Sequence, residues 1–130
     1  MVKENYQKIL ETTLQSILKQ PYRPRLLLHS CCGPCSSYIL EYLSQYFDIT
    51  VYYYNPNISP ASEFTHRAEE QQKLIAAMSL GGKVDCIIAD YEPEVFYDMA
   101  KGKEQEPEGA TRCFDCFTLR LPKTAEAAKA

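Results

Sequence analysis

Short apolar runs that alternate with helical segments constrain the fold of this chain more than any other feature. Residues 26–28 are all leucine, and a wholly apolar run is typical of a strand that is covered on both faces. The other predicted elements are two strands at 49–54 and 84–89 and five helices at 4–19, 36–47, 63–80, 92–100 and from Cys113 onward. Strands that alternate with helices form right-handed βαβ units. The pattern therefore predicts an α/β fold, with a parallel three-to-four-stranded Rossmann-like sheet and helices on both of its faces.

The boundaries of these elements are predicted from residues that start or stop a helix. We expect Ser62 to cap the third helix and Gly81-Gly82 to end it. Residues 30–35 are predicted to form a tight turn between the first strand and the second helix. A kink is expected in the last helix at Pro122, because proline cannot donate a backbone hydrogen bond.

The composition is that of an ordinary globular domain. The formal net charge is −3 and 45% of the side chains are hydrophobic, which excludes a disordered or fibrous chain. We interpret residues 1–130 as a single α/β domain in which residues 1–20 carry the N-terminal helix. No apolar run is long enough to cross a membrane, and the start is too polar for a signal peptide. The expected location is therefore the cytoplasm, without a membrane partner.

Five of the six cysteines fall into two groups, Cys31-Cys32-Gly33-Pro34-Cys35 and Cys113-Phe114-Asp115-Cys116. Disulfides are rare in the cytoplasm, so metal binding or redox chemistry is the leading interpretation. The first group follows the first strand, at the edge where parallel α/β sheets bind ligands. Two Cys-x-x-Cys pairs that converge can form a four-thiolate site for zinc or an iron–sulfur cluster. Cys86 lies within an apolar strand and is interpreted as a core residue.

Two other interpretations of the cysteines stay open at this point. In the first, a zinc ion stabilises a binding module that has no catalytic activity, and the fifth cysteine is idle. In the second, Cys32-Gly33-Pro34-Cys35 is the redox-active disulfide centre of a thioredoxin-like thiol–disulfide oxidoreductase. The second interpretation leaves Cys113 and Cys116 without a role.

Taken together, these residues give the chain a resemblance to the QueH-type epoxyqueuosine reductases. The blocks that carry the resemblance keep the order of the family: His29-Ser30-Cys31-Cys32-Gly33-Pro34-Cys35, Tyr54-Asn55-Pro56-Asn57-Ile58-Ser59-Pro60, Glu63-Phe64 with Arg67, Gly109, Arg112-Cys113-Phe114-Asp115-Cys116 and Arg120-Leu121. They define a family core over residues 25–121. The resemblance implies an oxidoreductase of tRNA queuosine biosynthesis, which reduces epoxyqueuosine at the anticodon wobble position to queuosine. It also implies that family members extend further, with another strand and a distal Cys-x-Cys pair.

The same resemblance implies the cofactors and the partners. A 4Fe-4S cluster is expected on the thiolates of Cys31, Cys32, Cys113 and Cys116. A second metal ion, iron or zinc, is expected beside Cys35. The expected partners are tRNA and an electron donor that the sequence does not identify.

Removing an epoxide oxygen takes two electrons and two protons, so the site also needs an acid. The candidate catalytic residues, all within the family blocks, are His29, Cys35, Tyr54 and Asp115. The candidate substrate-binding residues are two amides for hydrogen bonds and two arginines for phosphates: Asn55, Asn57, Arg67 and Arg112.

Overall fold

A computed structural model describes the fold of the protein over residues 3–78 and 83–129. Within those ranges it contains α1 (Tyr6–Leu18), β1 (Arg25–His29), α2 (Gly33–Leu43), β2 (Asp48–Tyr53), α3 (Ala61–Ala77), β3 (Val84–Ile88), α4 (Pro93–Ala100) and α5 (Thr111–Lys129). The order of strands and helices is the order that the sequence predicts.

The three strands of the described chain form one parallel sheet in the order β1-β2-β3. Leu28 pairs with Val51, and Val51 pairs with Cys86, so one row of side chains crosses the whole sheet. Both crossovers step in the same direction, which for right-handed βαβ units places α2 and α3 on the same face. The predicted α/β class with a parallel sheet is confirmed.

The main core lies between this face of the sheet and the two crossover helices. Leu40 of α2 packs with Ile49 and Val51 of β2, and all three side chains are almost completely buried. Leu28 and Cys86 pack against this cluster from the neighbouring strands. The interpretation of Cys86 as a core residue is thereby confirmed.

The last helix, α5, lies against the opposite face of the sheet. Ala127 and Ala128 line a cavity of about 330 Å³ together with Leu27, Thr50 and Ile87. These three strand residues alternate with the core residues, so their side chains leave the sheet on its other face. Helices therefore lie on both faces, as predicted. No helix of the described chain has the length and apolarity needed to span a membrane.

Helix α2 begins earlier than predicted and takes Cys35 into its first turn. It starts at Gly33, and Pro34 occupies a position where the missing N–H costs no hydrogen bond. Cys32 is the N-cap residue and has extended backbone angles. The predicted tight turn is therefore wrong for residues 33–35, because a Gly-Pro pair that favours a turn is equally compatible with a helix start.

Helix α3 begins without the side-chain cap that the sequence predicts. Pro60, not Ser62, is the N-cap residue, and the Phe64 N–H donates to the Pro60 carbonyl (3.2 Å). The prediction of Ser62 as the cap is therefore wrong. The predicted stop at Gly81-Gly82 lies outside the described residues.

Helix α5 begins at Thr111 because the loop before it supplies an acceptor for its first turn. The Arg112 N–H donates to Glu106 Oε1 (2.8 Å), and a carboxylate is favourable at a helix N-terminus. The helix continues through Pro122 to Lys129. The kink expected at Pro122 stays a prediction.

Candidate functional site

Two loops and the start of one helix meet at the carboxyl edge of the parallel sheet. The loop after β1 contains Cys31 and Cys32 and leads directly to Cys35 in the first turn of α2, and the loop after β2 contains the two candidate asparagines. A hydrogen bond from Asn55 Nδ2 to the Ser30 carbonyl oxygen (2.9 Å) joins these loops. Asn57 lines a cavity of about 220 Å³ whose wall also includes Cys113 and Cys116. Both cysteine groups therefore lie at the same edge of the sheet.

The first cysteine group lies at the N-terminus of α2. Cys35 is exposed, while Cys31 and Cys32 are partly buried. Burial acts to raise the pKa of Cys32, but hydrogen bonds from the Cys35 side chain and backbone outweigh it and the pKa is lowered. The hydrogen bond to Cys32 raises the pKa of Cys35, and burial raises that of Cys31. Cys32 is therefore the thiol of this group that ionises most readily, as expected at the positive end of a helix dipole.

The second cysteine group lies in the first turns of α5. Cys116 is buried, and burial raises the pKa of its thiol against the opposing charge of Arg120. Cys113 Sγ accepts a hydrogen bond from the Gly109 N–H (3.2 Å). Gly109 has a φ of +87°, which glycine adopts without the steric cost that a Cβ brings. The loop before α5 thus directs a backbone donor at one of the candidate ligand sulfurs.

Arg120 acts electrostatically on thiols of both cysteine groups. Its charge acts to lower the pKa of both Cys31 and Cys116, although burial is the larger effect on each. Its Nε donates to the Cys116 carbonyl oxygen (3.4 Å), and its guanidinium lies 5.3 Å from the Phe117 ring centre. Thiols of both groups therefore lie in the field of one guanidinium.

Convergence of four thiolates on one metal centre stays a prediction. Over residues 3–78 and 83–129, no three His, Cys, Asp or Glu side chains are placed so that they could together hold a metal ion. All six cysteines are free thiols. The sulfur atoms that a cluster needs as ligands are therefore present at this edge of the sheet, and none of them is in a disulfide bond.

His29 lies at the end of β1, and the proton of its imidazole ring forms a hydrogen bond to the backbone. Nε2 lies 2.8 Å from the Tyr54 carbonyl oxygen. Because a carbonyl oxygen only accepts, Nε2 carries the proton of the neutral ring and Nδ1 is left as an acceptor. Burial, together with the charge of Arg120, lowers the pKa of His29 against the effect of this hydrogen bond. A neutral His29 therefore directs its one proton at the backbone.

The other two candidate acids, Asp115 and Tyr54, lie in different surroundings. Asp115 pairs with Lys103 and lines a different cavity from the one that Cys113 and Cys116 line. The structure does not bring Asp115 together with the cysteines. Tyr54 is buried, burial raises the pKa of its phenol, and Lys123 Nζ lies 5.8 Å from its ring centre.

The two candidate asparagines each keep an unpaired oxygen. Asn55 Oδ1 and Asn57 Oδ1 are buried without a hydrogen-bond partner among the described residues. A buried polar atom without a partner costs about 1–3 kcal/mol. Asn55 is completely buried and its amide nitrogen already joins the two loops. Asn57 lines the cavity beside the second cysteine group, but its Oδ1 is itself buried.

The two candidate arginines are both held by protein groups. Arg67 Nε lies 2.8 Å from Glu63 Oε1, and the charge of Arg67 acts on all three thiols of the first cysteine group. Arg112 Nη1 donates to the carbonyl oxygens of Lys103 (3.2 Å) and Glu104 (3.0 Å). Arg67 therefore lies near the cysteines, whereas Arg112 ties the start of α5 to the preceding loop.

Three residues at the site, Ser30, Ser36 and Gln71, have no role in the sequence-based predictions. Together with the predicted Asn55 they form a buried polar network beneath the first cysteine group. The two serines directly flank the first cysteine group, and that position is the signal for them in the sequence. Gln71 follows Arg67 by one helical turn, so the helix period predicts that both face the same loop.

These features define an α/β protein whose parallel sheet presents two groups of free cysteines at its carboxyl edge, one at a helix N-terminus after the first strand and one on the last described helix. Such an edge is suited to a thiolate-bound metal or redox centre. Residues 26–130 match the family described as Epoxyqueuosine reductase QueH, and the chain belongs to that family.

Curated relatives of this family match nearly the whole chain. The Epoxyqueuosine reductase QueH proteins of Staphylococcus epidermidis, Staphylococcus aureus and Streptococcus pyogenes are 46%, 44% and 42% identical to it, each over 97% of the chain. The alignments cover 55%, 54% and 50% of those proteins. The chain therefore spans about half the length of the curated relatives it matches.

Proposed function

We propose that this chain acts as an epoxyqueuosine reductase, which reduces epoxyqueuosine in tRNA to queuosine. The observation that carries the proposal is the presence of two groups of free cysteines at one sheet edge, both within the field of Arg120. Family membership connects this arrangement with a reaction, because the relatives are named for it. A tRNA substrate sets the proposed reaction in the cytoplasm.

The reaction needs chemistry that no amino-acid side chain supplies. Conversion of the epoxide to an alkene breaks two C–O bonds, forms a C=C bond and releases the oxygen as water. It consumes two electrons and two protons. A 4Fe-4S cluster with an adjacent iron or zinc ion supplies single-electron transfer and polarisation of the epoxide oxygen when bound. The electrons come from an external donor.

The donor set of the site fits such a group. Thiolate sulfur is the ligand that iron–sulfur clusters and zinc select. The residues that would hold the cluster are Cys31, Cys32, Cys113 and Cys116, with Cys35 beside the second metal. The positive charges of Arg67 and Arg120 offset the negative charge that several thiolates bring to one place.

Of the three candidate acids, His29, Asp115 and Tyr54, we propose Tyr54 as the proton donor, because its surroundings leave its proton available. The neutral His29 ring already donates its Nε2 proton to a backbone carbonyl, and Asp115 is paired with Lys103 and lines a different cavity from the two cysteines of α5. Burial raises the pKa of Tyr54, so its phenol keeps its proton at neutral pH. We expect Tyr54→Phe to slow epoxide reduction by about 10²-fold, the effect typical of a lost general acid, without loss of metal.

The cavity beside the second cysteine group is the proposed position of the modified base. Enzymes that act on a base in RNA need it accessible or turned out of its stack. Phe96 and Phe117 give the cavity aromatic surface, and Arg120 adds positive charge. The Asn57 side chain, which lines the same cavity, is the proposed contact for a polar group of the base. Arg67, which lies near the first cysteine group, is the proposed contact for the RNA backbone.

Metal analysis after anaerobic purification tests the proposed cofactor. We expect a brown protein with several irons per chain and loss of iron in Cys113→Ser. Cys86→Ala is the matched control, because it removes a thiol from the core and from neither cysteine group. A colourless wild-type protein that holds one zinc after anaerobic reconstitution would contradict the proposal and indicate a zinc-stabilised binding module.

The activity itself is tested on tRNA that carries epoxyqueuosine, with dithionite as the electron source. Queuosine is then quantified by mass spectrometry of the digested tRNA. We expect conversion by the iron-loaded wild type and by Cys86→Ala, and none by Cys113→Ser. An iron-loaded wild-type chain that converts no substrate would show that this chain alone lacks the proposed activity.

A thiol–disulfide oxidoreductase is the second candidate, and one contact favours it. The Cys32 and Cys35 thiols are hydrogen-bonded to each other and the pKa of Cys32 is lowered, as in reactive dithiol pairs. In that case disulfide reductase activity survives Cys113→Ser and is lost in Cys35→Ser. Loss of activity in both variants would exclude this candidate.

A further inference from the structure

A chain of buried polar side chains lies directly beneath the first cysteine group. Ser30 Oγ lies 3.3 Å from Gln71 Oε1 and is also hydrogen-bonded to Ser36 Oγ. Both serine hydroxyls lie within hydrogen-bond distance of the Cys32 carbonyl oxygen, Ser36 at 2.9 Å and Ser30 at 3.3 Å. Gln71 is completely buried. Burying an amide costs free energy unless it is hydrogen-bonded, so the direction of these bonds matters.

The number of hydroxyl protons determines the direction in which these bonds run. Each serine hydroxyl has one proton. If Ser36 donates to the Cys32 carbonyl at 2.9 Å, Ser30 donates to Ser36 and has no proton left for Gln71. Gln71 Nε2 has no partner among the described residues, and the two ends of an amide are assigned from their partners. With the amide turned by half a rotation, Nε2 donates one of its two protons to Ser30, and each serine hydroxyl donates its single proton to the next acceptor in the chain.

Helix α3 also supports the cysteine turn by direct packing. A Cβ at Gly33 would lie 3.5 Å from Leu74 Cδ2 and 3.8 Å from the Glu70 carbonyl oxygen. The start of α2 therefore rests on the same turn of α3 that carries Gln71. The packing and the hydrogen bonds act on the same short segment, which begins at the N-cap residue Cys32.

We propose that Gln71 is a positioning residue for the first cysteine group. A directed chain of hydrogen bonds runs from its amide through Ser30 and Ser36 to the Cys32 carbonyl and fixes the peptide that joins Cys32 to Gly33. The consequence for metal binding rests on the proposed function, in which Cys31 and Cys32 are ligands. Outer partners of metal ligands typically change metal affinity by about 10–100-fold when they are removed.

Hydrogen exchange in the metal-free protein tests the position of the turn. Gln71→Met keeps a similar side-chain volume but cannot donate a hydrogen bond. We expect amide exchange over residues 31–36 to become about tenfold faster, the effect of one lost hydrogen bond, while β2 and residues 113–120 are unchanged. Ser44→Ala is the matched control, since it removes a completely buried hydroxyl at the opposite end of α2 and should leave residues 31–36 unaffected.

A double-mutant cycle separates this chain of hydrogen bonds from general destabilisation. Ser30→Ala removes the hydroxyl through which Gln71 reaches both Ser36 and the Cys32 carbonyl, so adding Gln71→Met to it should speed exchange over residues 31–36 little further. Independent contributions would instead multiply the exchange rates. Multiplied rates in the double variant, or an unchanged rate in Gln71→Met alone, would overturn the proposal.

Co²⁺ is the probe for the consequence at the metal site. Its thiolate absorption bands report both affinity and ligand geometry. We expect Gln71→Met to bind Co²⁺ at least about tenfold more weakly than the wild type and with an altered spectrum, and Ser44→Ala to match the wild type. Equal affinity and equal spectra in Gln71→Met overturn this consequence. A wild-type protein that binds neither Co²⁺ nor iron contradicts the proposed function instead. The hydrogen-exchange rates of residues 31–36 in the metal-free protein then decide whether Gln71 is a positioning residue.

Discussion

Two glycines in the loop before α5 share a backbone conformation but differ in what they contact. Gly102 and Gly109 have φ of +79° and +87°, and a Cβ at either position would meet nothing within 4 Å. Replacement by alanine therefore costs only backbone strain, about 1–2 kcal/mol of unfolding free energy at each position. Gly109 differs in that its N–H donates to Cys113 Sγ. We expect both alanine variants to lose similar stability in urea unfolding. Gly109→Ala alone should lose iron faster to a chelator, because a backbone shift that relieves the strain moves this N–H away from Cys113 Sγ.

Gly102→Ala is the control for strain in this comparison. If both variants retain iron equally well, the contact between the Gly109 N–H and the Cys113 sulfur has no part in metal retention. If the unfolding free energy of iron-free Gly109→Ala is much lower than that of iron-free Gly102→Ala, the hydrogen bond from the Gly109 N–H to Cys113 Sγ stabilises the fold rather than the bound metal.

Adjacent residues of α2 test where the core lies. Leu40 is completely buried against Ile49 and Val51, whereas Ile39 is 41% exposed. Leu40→Ala should lower the unfolding free energy by about 2–5 kcal/mol, through lost burial and the cavity that is left. Ile39→Ala should cost only about 1 kcal/mol, because 41% of the residue is exposed and its removal leaves no cavity in the core. Urea unfolding of both variants checks this, and equal costs would show that α2 does not pack on the sheet by this face.

At the scale of helices and strands, the sequence predicts the identity of the elements better than their ends. Apolar and β-branched runs place β2 and β3 within one residue of their observed bounds, because a covered parallel strand needs continuous apolar sequence. The start of α2 is not predictable in this way. Gly33-Pro34 favours a turn and a helix start about equally, and the contact of Gly33 with Leu74 of α3 exists only in the folded chain.

The direction in which α5 presents its residues is also set by its neighbours. The helix period predicts that Asp115 lies on the side opposite Cys113 and Cys116, but it does not predict which side faces the sheet edge. In the fold, Asp115 lines one cavity with Val95 and Met99 of α4, whereas Cys113 and Cys116 line another. A candidate acid that lies between two candidate ligands in sequence is therefore separated from them in space.

We accordingly expect the Asp115 carboxylate, predicted from the sequence as a catalytic acid, to contribute to stability rather than to the site. Asp115→Asn removes the charge that pairs with Lys103, and because both side chains are partly exposed we expect a loss of at most about 1 kcal/mol. The iron content after anaerobic reconstitution should equal that of the wild type. Urea unfolding and iron analysis of this variant check both statements. Loss of iron from a folded Asp115→Asn protein would contradict this expectation and show that Asp115 takes part in the metal site.

On the scale of the whole molecule, the proposed metal centre would join parts of the chain that are distant in sequence. The first cysteine group follows β1 and the second opens α5, whose main contacts are with α4 and β1. A ligand that binds only the native state raises the unfolding free energy by about 2.7 kcal/mol at a concentration a hundred times its Kd. We therefore expect removal of iron by a chelator under anaerobic conditions to lower the urea midpoint. It should also speed hydrogen exchange in the first turns of α5, but not in β2.

The pattern of that exchange distinguishes one shared centre from two separate cysteine groups. If thiols of both groups bind one centre, removing iron releases residues 31–36 and residues 111–117 together, because each group is held in place through the other. Cys113→Ser should then be as mobile in both segments as the iron-free wild type, and iron should not change its stability. If iron removal frees residues 31–36 alone, the first group binds metal by itself. The charge of Arg120 then acts on two neighbouring but independent thiol groups, and α5 depends on its contacts with α4 and β1 for its place in the fold.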